Sequence, residues 1–344
     1  MIYPWLSKSW QQTLEQRHRL HHALLITGPA GIGKSAFAQS LAAALLCESP
    51  AADGAACGRC SACGWFGQGH HPDFRLLAPA SADDGNEDGE GRSGGARAGG
   101  RAASKPSREI KIDQVRALER FVEIGGHRGG SKLILIDPAE ALNTASANAL
   151  LKTLEEPAGS TRFLLVCNRP DALPATIRSR CAVLPLAAPA ADAGADWLAA
   201  ETSVPRDQAM RWLAAAGGAP LRARRFADPA EATAHRLILE TIAGLPETDA
   251  VQAAEALSGI EAAAWLGVLQ TWVADLGRVR AGAEPRFHPE HTARLRALAQ
   301  RAGLERLMRF DASLGKLARA VDHPLNPRLM AEDVLIQLHE ALAP

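Results

Sequence analysis

At 344 residues the chain exceeds one ordinary domain and suffices for two or three. Apolar residues make up 47% and charged residues 22%, a globular balance, and no apolar run approaches the ~20 residues that cross a bilayer. Basic and acidic residues number 38 each, so bulk charge excludes a protein that holds nucleic acid by net electrostatics; such a contact must come from a local patch or from partner subunits.

The N-terminus, "MIYPWLSKSW", lacks the basic-then-apolar layout of a signal peptide, and a cytoplasmic location without a membrane partner is expected. The six cysteines then face a reducing compartment, where clustered thiols bind metal more often than they form disulfides.

"HHALLITGPAGIGKSAFAQSLAAALLC", residues 21–47, reads as strand, glycine loop and helix. Within it Gly28-Pro29-Ala30-Gly31-Ile32-Gly33-Lys34-Ser35 matches G-x-x-x-x-G-K-[ST] in full. Glycines at positions 28, 31 and 33 let backbone N–H groups turn in around phosphate oxygens. Lys34 neutralises β/γ charge, the Ser35 hydroxyl can hold Mg²⁺, and the helix starting near Lys34 adds its N-terminal dipole. ATP or ADP with Mg²⁺ is the expected ligand.

Cys47, Cys57, Cys60 and Cys63 follow with two-residue gaps between the last three. Four thiolates suit a closed tetrahedral structural Zn²⁺ site, with His70 or His71 able to replace one of them. An iron–sulfur cluster is the rival, but the position of its next cysteine is Gly67 here, which favours zinc. Cys167 and Cys181 read as packed thiols. "HPDFRLLAP" gives a second strand. Residues 79–107 combine five acids between Asp83 and Glu90 with Arg92, Arg97, Arg101 and Lys105 among Gly and Ala, the composition of a disordered insertion.

Helical spacing resumes over 110–124. "LILIDPAEAL", 133–142, is a buried strand running into Asp137, a candidate outer ligand for the magnesium. Hydrolysis also needs a group that positions water. Pro138 stands beside the acid, and the offset of Glu140 points its carboxylate elsewhere, so nucleotide binding without efficient turnover is expected. "TASANALLKTLEE" is a helix closed by Pro157, and "RFLLVCN", 162–168, is another strand; strands alternating with helices predict a parallel, layered α/β domain. Beyond residue 187 strand signals vanish. "AAPAADAGA" reads as a linker, 188–228 as a small helical domain and 229–344 as a larger one, with amphipathic helices carrying Leu304, Leu307, Met308, Leu314 and Leu317, then Leu335, Leu338 and Leu342.

"YPWL" (3–6), the phosphate loop with its four-cysteine insertion, "NALLKTLEEP" (148–157), "LPATIRSRC" (173–181) and the C-terminal "LNPRLMAEDVLIQL" together resemble bacterial DNA polymerase III clamp-loader subunits of the AAA+ superfamily, the delta-prime branch in particular. The resemblance spans nearly the whole chain except 79–107. It implies an AAA+ P-loop domain over 1–187 with a zinc module at 47–71, a small helical lid at 188–228 and an all-α oligomerising collar at 229–344. By the same resemblance Arg180, in Ser179-Arg180-Cys181, matches the arginine finger that reaches a neighbour's ATP, with a surface ion pair as the bland alternative. Asn168 matches sensor 1. Arg222 lies near the sensor-2 position but one residue out of step.

The implied role is a stator that helps load the sliding clamp onto primed DNA, beside gamma/tau motor subunits and delta, touching clamp and primer–template mainly through the complex. Its own ATPase is expected to be weak or absent, and the chain would be a component of the polymerase assembly rather than the polymerase. An ATP-hydrolysing motor subunit is the alternative, because Lys34 and Ser35 are intact; an unrelated P-loop or zinc-dependent DNA-binding protein is the second.

Overall fold

The computed structural model describes residues 1–79, 109–123, 131–320 and 326–342. The insertion expected at 79–107 therefore lies outside the described residues, but for residue 79. Two compact units divide the chain, Met1–Ala188 and Pro189–Pro344.

The first unit holds, in chain order, α1 (Ser7–Glu15), β1 (Ala23–Thr27), α2 (Lys34–Leu46), α3 (Ser61–Gly67), β2 (Phe74–Leu77), α4 (Ile112–Glu123), β3 (Leu133–Ile136), α5 (Thr144–Glu155), β4 (Arg162–Cys167), α6 (Ala175–Arg178) and β5 (Ala182–Pro185). The strands form one sheet in the order β2-β3-β4-β1-β5, every neighbouring pair parallel. β1 and β3 are buried along their whole length, which is why both read as unbroken apolar runs rather than alternating ones. β5 is a strand that periodicity does not reveal. It is four residues long, alternates in exposure, ends in Pro185 and sits at the sheet edge, where a missing donor is tolerated.

The helices are set by what they bury. α2 puts Phe37, Ala38, Leu41 and Ala42 into the core, and Trp10 meets the Phe37 ring edge-on at 5.5 Å. Truncating Phe37 would cost ~3–5 kcal/mol and loosen the helix that starts at Lys34. α5 is capped by Asn143, whose Oδ1 accepts from Ser146 N at 2.9 Å, and buries Leu150 and Leu154.

The second unit is helical: α7 (Ala191–Thr202), α8 (Arg206–Ala215), α9 (Pro220–Ala223), α10 (Pro229–Ala243), α11 (Ala250–Leu257), α12 (Ala262–Arg280), α13 (Thr292–Arg301), α14 (Leu304–Ala320) and α15 (Pro327–Leu342). Among the described residues, buried side chains gather in one cluster between Ala195 and Ala223 around α7 to α9 and in another between Ile238 and Leu342 around Trp265 and Trp272. "ADAGA" belongs to α7 rather than to a linker, because Ala195 and Leu198 have a core to enter. In α14 the buried face is Leu307, Phe310 and Leu314, while Leu304 and Met308 stand exposed. No helix among the described residues is long and apolar enough to cross a membrane.

Candidate nucleotide and metal sites

The phosphate loop joins β1 to α2 at the C-terminal edge of the sheet, between the ends of β1, β4 and β3. Gly28 and Gly33 have φ values of +150° and +93°. A Cβ on Gly28 would stand 2.3 Å from Leu186 O, and one on Gly33 would stand 2.3 Å from Tyr3 Cδ2, so both glycines are required by close approach as well as by conformation. Gly31 also has a positive φ, +80°. The N-terminal segment closes over this turn: Trp5 Nε1 donates to Ile32 O at 2.9 Å, and its ring stacks on Tyr3 at 5.1 Å.

Lys34 is buried, and its Nζ donates to Pro29 O and to Asn168 Oδ1, both at 2.7 Å. Burial pulls the Lys34 ammonium below its ordinary value, while Glu140, Asp137 and Cys167 push it back up. Burial likewise lifts the Asp137 carboxyl above its usual range, opposed by a hydrogen bond from Ser35 and by the Lys34 charge. Lys34, Ser35, Asp137 and Asn168 thus meet at one place, contributed by α2 and by the turns after β3 and β4. A phosphate oxygen exchanged for either neutral acceptor of Lys34 would gain charge pairing.

Glu140 is the participant that sequence reasoning missed. Its carboxylate accepts from Asn168 N (3.1 and 3.2 Å) and from Asn168 Nδ2 (2.8 Å). It therefore fixes which way the Asn168 amide faces, and hence that Oδ1 faces Lys34. A lone acid three residues after Asp137 carries no signal of a partner 28 residues downstream.

Arg180 lies at the other edge of the sheet. It precedes β5, whose Ala182 pairs with Leu24 while Pro185 pairs with Thr27, and the loop begins only after Thr27. At ~3.3 Å per residue the strand separates Arg180 from its own chain's loop by ~13 Å or more. Its guanidinium pairs with Glu155 instead, in an open cavity of about 390 Å³ that His21 and His22 also line. Arg222, on α9 in the second unit, is exposed and lines a cavity of about 240 Å³ with Arg225, Phe226 and His235.

The four cysteines converge between α2 and α3. All their sulfurs lie within 4.8 Å of one another: Cys47–Cys63 is 3.6 Å, Cys47–Cys60 3.9 Å and Cys57–Cys63 4.0 Å. A tetrahedron with bonds of ~2.3 Å has edges of ~3.8 Å, so the cage fits a single ion; a cluster that gives each cysteine its own iron needs a wider one. Backbone amides of Cys57, Cys60 and Cys63 donate to the preceding sulfurs at 3.3–3.4 Å. Such bonds favour thiolates, and amides of Arg59 and Cys60 draw the Cys57 thiol down to about 6, whereas burial pushes the Cys63 thiol up to about 12. His70 is exposed and the buried His71 accepts from Asp73 N through Nδ1; neither is among the groups whose ligand atoms converge, which are the four cysteines. These four cysteines could hold a metal ion.

A parallel sheet carrying a phosphate loop after β1, an acid after β3 and an asparagine after β4 defines a P-loop protein of the AAA+ type. Within that class the chain belongs to the DNA polymerase III delta subunit family: the family model described as "DNA polymerase III, delta subunit" matches residues 4–190, and that of its C-terminal region matches 234–340. The chain is similar to DNA polymerase III subunit delta' of Pseudomonas aeruginosa, 43% identical over 65% of this chain and 61% of that protein, which is less than two thirds of its length. Against the Escherichia coli subunit delta' it is 29% identical over 99% of this chain and 96% of that one. DNA polymerase III subunit tau of Salmonella typhimurium is 35% identical over 47% of this chain and 21% of its own length. Among solved structures, a DNA polymerase III gamma subunit-related protein of Thermotoga maritima aligns over 97% of this chain and 99% of that one at 14% identity; its TM-score of 0.41 is too low to add to the fold described above.

Proposed function

We propose that this chain is a delta-prime-type stator of a DNA polymerase III clamp loader, acting in the cytoplasm to help load a sliding clamp onto primed DNA. Family membership and the names of its relatives support the complex, with gamma/tau motor subunits and delta as neighbours and with clamp and primer–template met mainly through the assembly. The observation that carries the stator reading is the place of Arg180. It stands a strand's length from its own loop and beside an open cavity, which supports a role toward a nucleotide held by another subunit rather than its own. Charge stabilisation in trans by such an arginine is worth ~10³–10⁵ in rate in related phosphoryl transfers. On this reading the helices of the second unit divide into a lid at 188–228 and a collar at 229–344, the cysteines hold structural Zn²⁺, and the loop binds ATP or ADP with Mg²⁺. Arg222 is the candidate sensor 2.

Two observations favour a weak ATPase of the chain's own. Pro138 follows Asp137, and the Glu140 carboxylate is spent on Asn168. The intact Lys34–Asn168 contact favours the motor alternative, which requires turnover at this chain's own loop. The test is the DNA-stimulated ATPase of the reconstituted complex. Arg180→Ala should abolish turnover at the adjoining site while Lys34→Ala changes the total little. An unchanged rate with Arg180→Ala refutes the finger; loss of rate with Lys34→Ala alone, in a complex that still contains the folded variant chain, installs the motor reading.

A further inference from the structure

Arg180 is held in a particular way. Its Nε donates to Glu155 Oε1 at 2.5 Å, and Nη2, on the same side of the guanidinium, pairs with that oxygen too. Nη1 donates to Thr176 O at 3.0 Å and makes a long contact of 3.4 Å with Ser179 Oγ. A guanidinium has five N–H donors. Glu155 takes the side edge and Thr176 one corner. Nη1 is shared between Thr176 O and Ser179 Oγ, whereas Nη2 has Glu155 as its one acceptor among the described residues, so its second N–H, at the end of the fork that matches a phosphate, stays available.

Both residues that frame the guanidinium stand on fixed backbone. Glu155 is the last residue of α5, directly after the buried Leu154, and Arg180 N donates to the carbonyl of the buried Ile177 at 3.1 Å. The side chains of Arg180 and Glu155 are 35% and 47% exposed, so the pair has little hold as an electrostatic trap. What it supplies is direction. An unheld arginine would spread over many rotamers and lose that freedom only on meeting the phosphate.

We propose that Glu155 is a positioning residue for Arg180, holding the side edge of its guanidinium so that the end of the fork is presented to a triphosphate bound on the adjacent subunit. The inference rests on the reading of Arg180 as a finger acting in trans. Glu156, next in the chain and exposed, is the internal control.

The experiment measures ATPase kcat and KM in the reconstituted complex for Glu155→Ala, Glu155→Gln, Glu156→Ala, Arg180→Ala and the Arg180→Ala/Glu155→Ala double variant, with melting of each free chain. Misplacing a catalytic group by about an ångström costs up to ~10²-fold. Glu155→Ala should therefore remove most of the Arg180-dependent rate, ~10-fold or more, through kcat rather than KM and with unchanged melting. Glu155→Gln, which keeps an acceptor, should fall between, Glu156→Ala should match wild type, and the double variant should equal Arg180→Ala alone. If Arg180→Ala is slow but Glu155→Ala is as fast as wild type or faster, the positioning role is overturned and the finger stands. The same holds if Glu155→Ala slows the Arg180→Ala complex by an equal factor. If Arg180→Ala itself runs at the wild-type rate, the finger reading fails and takes this inference with it.

Discussion

Lys34 is the residue on which the candidate nucleotide site closes, and Lys34→Met tests that directly. The substitution keeps the length of the side chain and removes the ammonium. It deletes two bonds of 2.7 Å, to Pro29 O and Asn168 Oδ1, each worth ~1.5–3 kcal/mol as a bond to a charged group. It also leaves the half-buried Asp137 and Glu140 without a nearby cation, which costs part of the ~3–5 kcal/mol of a fully buried unpaired charge. Part of this is returned, because burying the ammonium is itself unfavourable, as its lowered pKa records. A net loss of ~3 kcal/mol is expected. In a unit of 150–250 residues each kcal/mol moves Tm by ~2–4 °C, so the transition of Met1–Ala188 should fall by ~6–12 °C. Calorimetry of the full chain without nucleotide reads this, and a fluorescent-ADP titration should weaken ~10–100-fold in parallel. A first-unit transition within ~1 °C of wild type would show that Lys34 does not sit buried among these groups.

The remaining expectations follow from the same geometry. Metal analysis should return about one zinc per chain, and chelation or Cys60→Ser should lower both occupancy and Tm; iron, or no metal, refutes the zinc reading. Asp137→Asn should melt higher than wild type. Burial raises the Asp137 carboxyl, so its contribution to stability is present below the ordinary carboxylate range and is lost as the pH rises through the raised value. The advantage of Asp137→Asn should accordingly grow as the pH rises above the ordinary carboxylate range and level off once the raised value is passed, and a pH-independent gap would count against it. Gly33→Ala should cost ~1–2 kcal/mol for the left-handed backbone and more for the collision with Tyr3. Tyr3→Ala in the same chain should recover the collision but not the backbone share; full recovery, or none, would be inconsistent with this division.

Much of the nucleotide loop could be read in one dimension because its chemistry is local. Three glycines, a lysine and a serine within eight residues need only the strand before and the helix after, and both are themselves written in short periodic patterns. The cysteines are similar: two-residue gaps bring Cys57, Cys60 and Cys63 onto one turn, and Cys47 arrives with the end of α2. β5 stayed hidden because a short edge strand beside Pro185 buries only one face and leaves no apolar run to read. The amphipathic helix α14 was legible, but not that Leu304 and Met308 would stand exposed, because a helix with apolar residues on more than one side does not say which side meets the core.

The sequence by itself determined which side chains can touch phosphate and which sulfurs can share an ion, since each set lies within a few residues of chain. Only the tertiary structure decided the rest. Parallel pairing brings the turns after β3 and β4 to the same edge of the sheet, and this delivers Glu140 to Asn168 and Asn168 to Lys34. The same parallelism sends Arg180 to the opposite edge, beside Glu155 and away from its own loop, because residues before a strand and residues after its neighbour are held a strand's length apart.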